Sequence, residues 1–203
     1  MSRIGILILA AGASTRLGQP KQLLNYRGKP LIRDMAEVAI KSGCQPVGVV
    51  VGAYSEIITS HLDDLGIHII YNEQWITGMA SSIRCGLERM VTITPELDAI
   101  VLMVCDQPFV SADLIRQLIR QHHAKNCAIV ASEYADILGV PALFHQTLFP
   151  ELASLQGDVG AKSIICQHRF QADSISFAEG AIDLDCPQDL KRLPSLIQVP
   201  VRT

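Results

Sequence analysis

The chain alternates short, uninterrupted apolar runs with longer segments whose apolar residues recur at helical spacing. The short runs are apolar throughout rather than at every second position, which is typical of strands buried on both faces of a parallel sheet. Helical layers on both sides of the sheet would provide that burial. The predicted strands are 4–9, 47–52, 67–71, 99–104, 127–131 and 140–144.

Helices are predicted between these strands. One over 30–42 begins at Pro30 and ends before Gly43, since proline suits a first helical turn and glycine a helix end. A second, over 54–65, would turn Ile57, Ile58, His61 and Leu62 inward. Further helices are expected after Ser111, from Gly78, from Lys162 and from Pro187. The resulting βαβ alternation predicts a doubly wound α/β fold.

Composition and charge narrow the class of protein. The 203 residues, 49% of them hydrophobic, suit one domain spanning 1–203, because typical domains have ~100–200 residues. No apolar run approaches the ~18–20 residues of a membrane span and no signal-peptide layout is present, so we predict a cytoplasmic protein. A net charge of −3 with scattered cations argues against nucleic-acid binding. The six cysteines form no Cys-x-x-Cys pair, which argues against a zinc site.

A loop rich in small residues follows the first predicted strand. Gly12 lets the backbone turn where a side chain would clash, which leaves backbone N–H groups free to converge on anionic oxygens. Arg16 and Lys21 can reach the same anion with positive charge. The loop at 10–21 therefore predicts a site for a nucleotide or another phosphorylated ligand.

Carboxylates follow a predicted strand and precede the last predicted helix. Asp106 comes just after the run 99–104, where Mg²⁺ that bridges substrate phosphates would find a ligand. Taken alone, an aspartate at this position is more often a turn or capping residue. Asp183 and Asp185 would point the same way in an extended segment. We predict Asp106 and Asp185 as the Mg²⁺ pair, with Asp183 as a supporting or substitute ligand.

Three glycine-containing segments are further candidates for ligand contact. The segment from Gly78 to Ser82 begins a helix whose free N–H groups and hydroxyls could hold a base edge or a phosphate, although helix capping explains it equally well. The segment 157–162 has the same pattern of a turn followed by a helix. Gly139, which precedes Val140 and Pro141, would leave room for a ligand beside a strand.

Other catalytic patterns are missing from the sequence. It contains no Gly-x-x-x-x-Gly-Lys-Ser/Thr loop, which excludes an ordinary Walker protein, and no Gly-x-Gly-x-x-Gly fingerprint, which disfavours a nicotinamide dehydrogenase. Ser14 and Ser81 lie in no Gly-x-Ser-x-Gly elbow, so a hydrolase triad is rejected. The six histidines show no metal-ligand spacing.

Six motifs, taken together, resemble one known family. They are Leu9-Ala-Ala-Gly-Ala-Ser-Thr-Arg-Leu-Gly-x-x-Lys21, Gly78-Met-Ala-Ser-Ser82, Cys105-Asp-Gln-Pro108, Gly139-Val-Pro141, Gly157-Asp-Val-Gly-Ala161 and Asp183-Leu-Asp-Cys-Pro-Gln-Asp189. Their order and spacing, over about residues 4–193, are similar to those of the molybdenum cofactor cytidylyltransferases, within the wider molybdopterin nucleotidyltransferases. The resemblance implies a three-layer α/β/α sandwich of the nucleotide-diphospho-sugar transferase type, with a mostly parallel, Rossmann-like sheet and one reversed strand.

The resemblance also implies a Mg²⁺-dependent transfer of CMP from CTP to the terminal phosphate of the molybdenum cofactor (molybdopterin), with release of pyrophosphate. The implied catalytic residues are Arg16, Lys21 and Asp106. The implied nucleotide contacts are Leu9, Ala10, Ala11, Gly12, Ser14, Arg16, Lys21, Gly78, Met79, Ser81, Ser82 and Asp106. The implied acceptor contacts are Gly139, Pro141, Gly157, Asp158, Gly160 and Ala161. An apo-molybdoenzyme of the xanthine dehydrogenase type is an implied partner, whereas nucleic acid and membrane are not.

Two points stay open: which base the nucleotide carries, and which acceptor receives the nucleotidyl group. Guanylyl-type relatives usually carry Leu-Ala-Gly-Gly where this chain has a second alanine, Ala11. An extra methyl group would crowd a purine and so favours CTP, although one methyl is worth only ~1–3 kcal/mol of discrimination. The alternatives are a GTP-dependent guanylyltransferase, cytidylyl transfer to another phosphorylated acceptor, and a non-catalytic protein that delivers the cofactor.

Overall fold

The structure, a computed structural model, describes residues 3–15 and 17–184. Its strands are β1 (Ile4–Leu9), β2 (Asn25–Tyr26), β3 (Lys29–Pro30), β4 (Val47–Val51), β5 (His68–Tyr71), β6 (Ala99–Val104), β7 (Ile129–Tyr134), β8 (Ile137–His145) and β9 (Asp173–Ser176). Its α-helices are α1 (Leu31–Lys41), α2 (Ser55–Thr59), α3 (Met79–Ile93), α4 (Ala112–Lys125), α5 (Phe149–Ser154) and α6 (Lys162–Gln167).

Seven of the strands form one sheet, in the order β5-β4-β1-β6-β8-β7-β9. The strand β1 shows why its residues are apolar throughout. Ile6 and Ile8 belong to an apolar cluster with α1 and α4 on one face of the sheet, and Leu7 belongs to a cluster with α3 on the other. All three side chains are fully buried. The predicted α/β/α sandwich is therefore confirmed.

The reversed strand of the sheet is β8. It runs antiparallel to β6 and β7, whereas the other neighbouring pairs are parallel. Ala135 and Asp136, with φ of 47° and 60°, form a two-residue connection between β7 and β8, as in a tight hairpin. A connection this short joins only antiparallel strands. The predicted strands 127–131 and 140–144 both extend to this turn.

The predicted helix over 54–65 is wrong in its second half, because α2 ends at Thr59. Beyond that point the backbone turns more tightly, and the Leu62 N–H donates to the Thr59 carbonyl three residues back, at 2.8 Å. Ile58 is buried as predicted, but Ile57 is 53% exposed rather than inward-facing.

Other predicted helices begin close to where the sequence indicates. Ser111 caps α4, since its Oγ accepts a hydrogen bond from the Leu114 N–H at 3.2 Å. The helix predicted from Pro187 lies outside the described residues. In the described part of the chain, no helix is both long and apolar enough to cross a lipid bilayer.

The parallel strands β1, β4, β5 and β6 all end at the same edge of the sheet. In open α/β sheets, ligands bind outside the carboxyl ends of such strands. The loops that leave this edge carry Gly12, Gly78 and Asp106, and they bring together segments that are far apart in the sequence.

Candidate functional site

The loop that follows β1 is tied to the sheet and to the turn below it. The Ala10 N–H donates to the Val50 carbonyl at 2.9 Å, and the Ala11 carbonyl accepts from the Ala53 N–H at 3.0 Å. From the other side, the Gln22 side chain donates to the carbonyls of Ala10 and Gly12, both at 2.8 Å. Three successive carbonyls of the loop, those of Ala10, Ala11 and Gly12, are therefore hydrogen-bonded by groups on both sides of it.

Lys21 reaches from this loop to the carboxylate that follows β6. Its backbone N–H donates to Ser14 Oγ at 3.1 Å, and its Nζ forms an ion pair with Asp106 Oδ2. Both side chains are mostly buried, with 19% and 17% of their surfaces exposed. The predicted cation and the predicted metal-binding carboxylate thus lie in direct contact. Arg16, the other predicted cation, lies outside the described residues.

The surroundings of Asp106 suit a divalent cation. Its Oδ1 is buried and has no hydrogen-bond partner among the described residues, and an unpaired buried carboxylate oxygen is costly unless a cation or donor reaches it. The Leu184 N–H donates to the Asp106 carbonyl at 3.0 Å, which brings the segment of Asp183 alongside. Both carboxylates line one cavity. Mg²⁺ bound to substrate phosphates needs only one or two carboxylates.

Asp185, the preferred second ligand in the sequence analysis, lies outside the described residues. Within the described ranges, no group of three or more His, Cys, Asp or Glu side chains could hold a metal. A metal at this site would therefore also need oxygens from substrate, water or the segment after Leu184.

The start of α3 differs from the prediction of free N–H groups. The Met79 N–H donates to Asp158 Oδ1 at 3.3 Å, and the Ala80 N–H donates to the Gly157 carbonyl at 3.1 Å. Ser81 is also engaged internally, because its Oγ donates to the carbonyls of Gln74 and Gly78. Helix capping, the alternative interpretation, describes these groups.

This contact joins two segments that the sequence assigned to different substrates. Gly78 has φ of 111°, and a Cβ at this position would overlap the Gly157 carbonyl. The close approach of the two backbones therefore requires glycine at 78. The segments that begin at Gly78 and at Gly157 therefore lie side by side in direct contact.

Two adjoining cavities lie above this edge of the sheet, with volumes of about 540 and 570 Å³. The first, the loop cavity, is lined by Ala10, Ala11, Trp75, Gly78 and Ser82. The second, the β8 cavity, is lined by Tyr134, Gly139, Gly160, Ala161 and Asp183. Their shared lining includes Leu9, Gly12, Ser14, Lys21, Met79, Asp106 and Asp158. Of the predicted contacts that the structure describes, Ser81, Pro141 and Gly157 line neither cavity.

Gly139 lines the β8 cavity and also makes room for a neighbouring side chain. A Cβ on Gly139 would overlap the Tyr134 hydroxyl. That hydroxyl donates to the Val140 carbonyl at 3.2 Å and lies 3.4 Å from Gln107 Nε2. The glycine thus lets Tyr134 form part of the floor of the β8 cavity.

The Tyr134 phenol and the Cys105 thiol, both near the site, have raised pKa values and therefore stay protonated at neutral pH. Burial raises the pKa of the Tyr134 phenol, and the nearby charges of Asp183 and Asp106 raise it further against the opposing hydrogen bond from Gln107. Complete burial, followed by the charge of Asp106, raises the pKa of the Cys105 thiol far above its ordinary value. Since only the thiolate is a good nucleophile, Cys105 is a packing residue.

Several side chains at the site were missed in the sequence analysis. Trp75 packs against Gly52, where a Cβ would contact both the indole and the Ala11 carbonyl. Asn72 Nδ2 donates to Ser81 Oγ at 2.8 Å and to Ser82 Oγ at 3.0 Å. Asn72 follows β5 directly and Trp75 lies three residues further on, and their position near a strand's carboxyl end was the available signal. Gln22 gave no such signal, since its partners are two backbone carbonyls and the Ser14 hydroxyl.

The sheet order with its reversed β8, and the small-residue loop of β1 facing the carboxylate after β6, define an α/β protein of the nucleotide-sugar transferase-like class. Comparison with known protein families narrows the assignment within that class. Residues 6–172 match the MobA-like NTP transferase domain, and the chain belongs to this family. The predicted resemblance to molybdopterin nucleotidyltransferases is thereby confirmed, and family membership supports a transferase activity.

Individual relatives carry different names. Nicotine blue oxidoreductase from Paenarthrobacter nicotinovorans is 32% identical over 196 residues, which cover 92% of this chain and 94% of that protein. The crystal structure of Rv0371c from Mycobacterium tuberculosis H37Rv is 31% identical, with a TM-score of 0.83 and 97% of each chain covered. A structure of Rv0371c in complex with manganese is also similar, with a TM-score of 0.79 over 94% of this chain and 97% of that one.

A more distant neighbour is molybdopterin-guanine dinucleotide biosynthesis protein A from Archaeoglobus fulgidus. It is 20% identical, with a TM-score of 0.69, over 93% of this chain and 95% of that chain. At that identity, the likeness shows a shared fold.

Proposed function

We propose that the protein transfers CMP from CTP to the terminal phosphate of the molybdenum cofactor and releases pyrophosphate. The observation that carries the proposal is the contact between Lys21 and Asp106 at the wall shared by two adjoining cavities. A cation for a polyphosphate and a carboxylate for a divalent metal are the two groups that nucleotidyl transfer requires. Two cavities supply space for a nucleotide and for a separate acceptor.

The chemistry needs few protein groups. A phosphate oxygen of the acceptor attacks the α-phosphorus of CTP, and a new P–O bond forms as the bond to the pyrophosphate oxygen breaks. Lys21 and Arg16 would stabilise the negative charge that grows on the departing pyrophosphate. No general base is required, because the attacking phosphate is already ionised. This agrees with the protonated state of Cys105 and Tyr134.

A divalent cation belongs to this proposal. Bound Mg²⁺ would neutralise charge on the phosphate oxygens, and Asp106 would hold it together with Asp183 or Asp185. The buried, unpaired Oδ1 of Asp106 supports this role, and so does the manganese complex of Rv0371c. The assignment of Mg²⁺ rather than Mn²⁺ rests on the resemblance to the cytidylyltransferases.

The base assignment rests on the resemblance more than on contacts. Ala11 lines the loop cavity, but its side chain is only 5% exposed and belongs to the apolar cluster of Leu7 and Ile83. The methyl group therefore offers little surface to a base. Transfer of GMP from GTP is the competing outcome at the same site.

The first test is an end-point assay for pyrophosphate with each of the four ribonucleoside triphosphates. It is run with Mg²⁺ or Mn²⁺, and with or without molybdenum cofactor. We expect cofactor-dependent pyrophosphate release that is highest with CTP, together with a cytidylylated pterin product detected by mass spectrometry. Highest release with GTP would replace CTP in the proposal. No release with any nucleotide, metal and cofactor would overturn it.

A second candidate function is an oxidoreductase activity. It is favoured by the 32% identity, over nearly the full length, to nicotine blue oxidoreductase. The missing Gly-x-Gly-x-x-Gly fingerprint disfavours a nicotinamide cofactor in this chain. Oxidation of NADH or NADPH by the purified protein, with nicotine blue as the electron acceptor and no nucleotide present, would support this second candidate against the first.

A further inference from the structure

The loop after β1 rests on a buried amide at the margin of the loop cavity. Gln22 lies in the short turn Lys21–Leu23 and is 0% exposed. Its Nε2 donates to the carbonyls of Ala10 and Gly12, both at 2.8 Å, and Ser14 Oγ donates to its Oε1 at 3.4 Å. Burying a polar side chain is costly unless its groups are paired. All three contacts of this amide go to the one loop.

These contacts fix the direction of the loop's peptide groups. In a planar trans peptide, the carbonyl of one residue and the N–H of the next point in opposite directions. With the Ala10 and Gly12 carbonyls held by Gln22, the N–H groups of Ala11 and Ala13 must point away from it. Among the described residues, neither N–H donates to a backbone carbonyl. Both residues line the loop cavity.

The same turn positions the cation. Lys21 precedes Gln22, its N–H donates to Ser14 Oγ, and its Nζ lies against Asp106. A shift of Gln22 would therefore displace both the loop's N–H groups and the ammonium group. Successive backbone N–H groups beside a cation form a concave site that suits a polyphosphate.

We propose that Gln22 is a positioning residue for the triphosphate. Its side chain is fully buried beneath the loop, and it acts by holding the Ala11 and Ala13 N–H groups in the orientation that binds phosphate oxygens. The inference rests on the proposed use of a nucleoside triphosphate, but not on which base is used. It distinguishes Gln22 from a buried residue that merely stabilises the fold, because its loss should affect the β- and γ-phosphates selectively.

The test compares triphosphate with monophosphate binding in the variant Gln22→Met, which keeps the side-chain length and removes the N–H donors. Calorimetric titration gives Kd for CTP, CMP, GTP and GMP. We expect the ratio of CMP Kd to CTP Kd to fall at least about tenfold in Gln22→Met, and the GMP to GTP ratio to fall similarly, since two charge-facing donors lose their orientation. The control Leu118→Ala creates a cavity in α4 and should lower the melting temperature without changing either ratio.

The outcomes separate this inference from the proposed function. Unchanged ratios in a folded Gln22→Met protein would overturn the role of Gln22 and leave the proposed function standing. A wild type that does not prefer triphosphates to monophosphates would overturn both. Should the variant fail to fold, amide NMR of the wild type decides the matter. The Ala11 and Ala13 N–H signals should shift with CTP and GTP but not with cytidine, and equal shifts with cytidine would contradict the inference.

Discussion

The two oxygens of the Asp106 carboxylate lie in different environments. Its Oδ2 is paired with Lys21, and its Oδ1 is buried with no partner among the described residues. A metal that binds this carboxylate would compete with the Lys21 ammonium group for it. A bound triphosphate would offer Lys21 a new partner.

The residue-scale test of this arrangement is Asp106→Asn. The amide keeps the shape but loses the charge that attracts a divalent cation, which is worth several kcal/mol of transition-state stabilisation. We expect turnover to fall by at least about a hundredfold, while the free energy of unfolding falls by no more than about 3–5 kcal/mol, because Lys21 loses a partner that is mostly buried. Pyrophosphate release at saturating Mg²⁺ and urea denaturation measure the two effects.

The matched control is Asp113→Asn on α4, which breaks an ion pair with Arg116 and lines neither cavity. It should leave turnover unchanged. Wild-type turnover in a correctly folded Asp106→Asn protein would remove Asp106 from the metal site.

Lys21 gives a second residue-scale prediction. A charge contact to a phosphate does not distinguish bases, so Lys21→Ala should weaken CTP and GTP binding by similar factors, on the order of tenfold. Calorimetric titration of both nucleotides checks this. Lys125→Ala, which removes a surface lysine paired with Asp173, serves as the control. A loss confined to one nucleotide would assign Lys21 to base recognition instead.

At the scale of elements, α3 and the turn before α6 act as one unit. The Met79 and Ala80 N–H groups bond to Asp158 and Gly157, which lie nearly eighty residues further along the chain. Met79 and Asp158, which form part of this contact, line both cavities. A ligand in either cavity therefore lies against residues of this unit.

The element-scale prediction compares Gly78→Ala with Gly66→Ala. Both glycines have positive φ, 111° and 63°, but a Cβ at Gly66 meets no atom within 4 Å, whereas one at Gly78 overlaps the Gly157 backbone. We expect Gly66→Ala to cost about 1 kcal/mol of unfolding free energy from backbone strain alone. Gly78→Ala should cost about 2–4 kcal/mol, because backbone atoms must separate.

Urea denaturation gives both free energies, and titration with CTP gives the effect on binding. Gly78→Ala should also weaken the binding of CTP, whereas Gly66→Ala should leave it unchanged. Equal costs and unaltered binding in the two variants would show that the contact between the segments is unimportant.

At the scale of the whole molecule, the sequence predicted the elements whose signal is local. The strands β1 and β6 were found because their burial on both faces makes every residue apolar. The end of α2 was missed, because the apolar spacing continues past Thr59 while the backbone changes to tighter turns. The turn at Ala135 and Asp136 was missed because alanine is not a usual residue at a positive φ, and no glycine or asparagine marks the turn.

The site was predictable where chemistry shows in a residue's own type, and not where it depends on a distant partner. Asp106 is a charged residue just after a strand, Lys21 is a charged residue at the end of the loop after β1, and the structure places them in contact. The bonding of the α3 N-terminus to Asp158, and the room that Gly139 makes for Tyr134, arise from packing between segments. Arg16 and Asp185 lie outside the described residues, so their predicted roles stay predictions.

Trp75 gives the molecule a built-in optical probe. It is the one tryptophan in the sequence, and it lines the loop cavity but not the β8 cavity. Since indole emission depends on the polarity of its surroundings, titration with CTP should change the fluorescence of the protein, whereas the acceptor alone should leave it unchanged. A change of fluorescence with the acceptor and none with nucleotides would instead place the acceptor in the loop cavity and the nucleotide in the β8 cavity. Order of binding could then be followed without a label, in the unmodified chain.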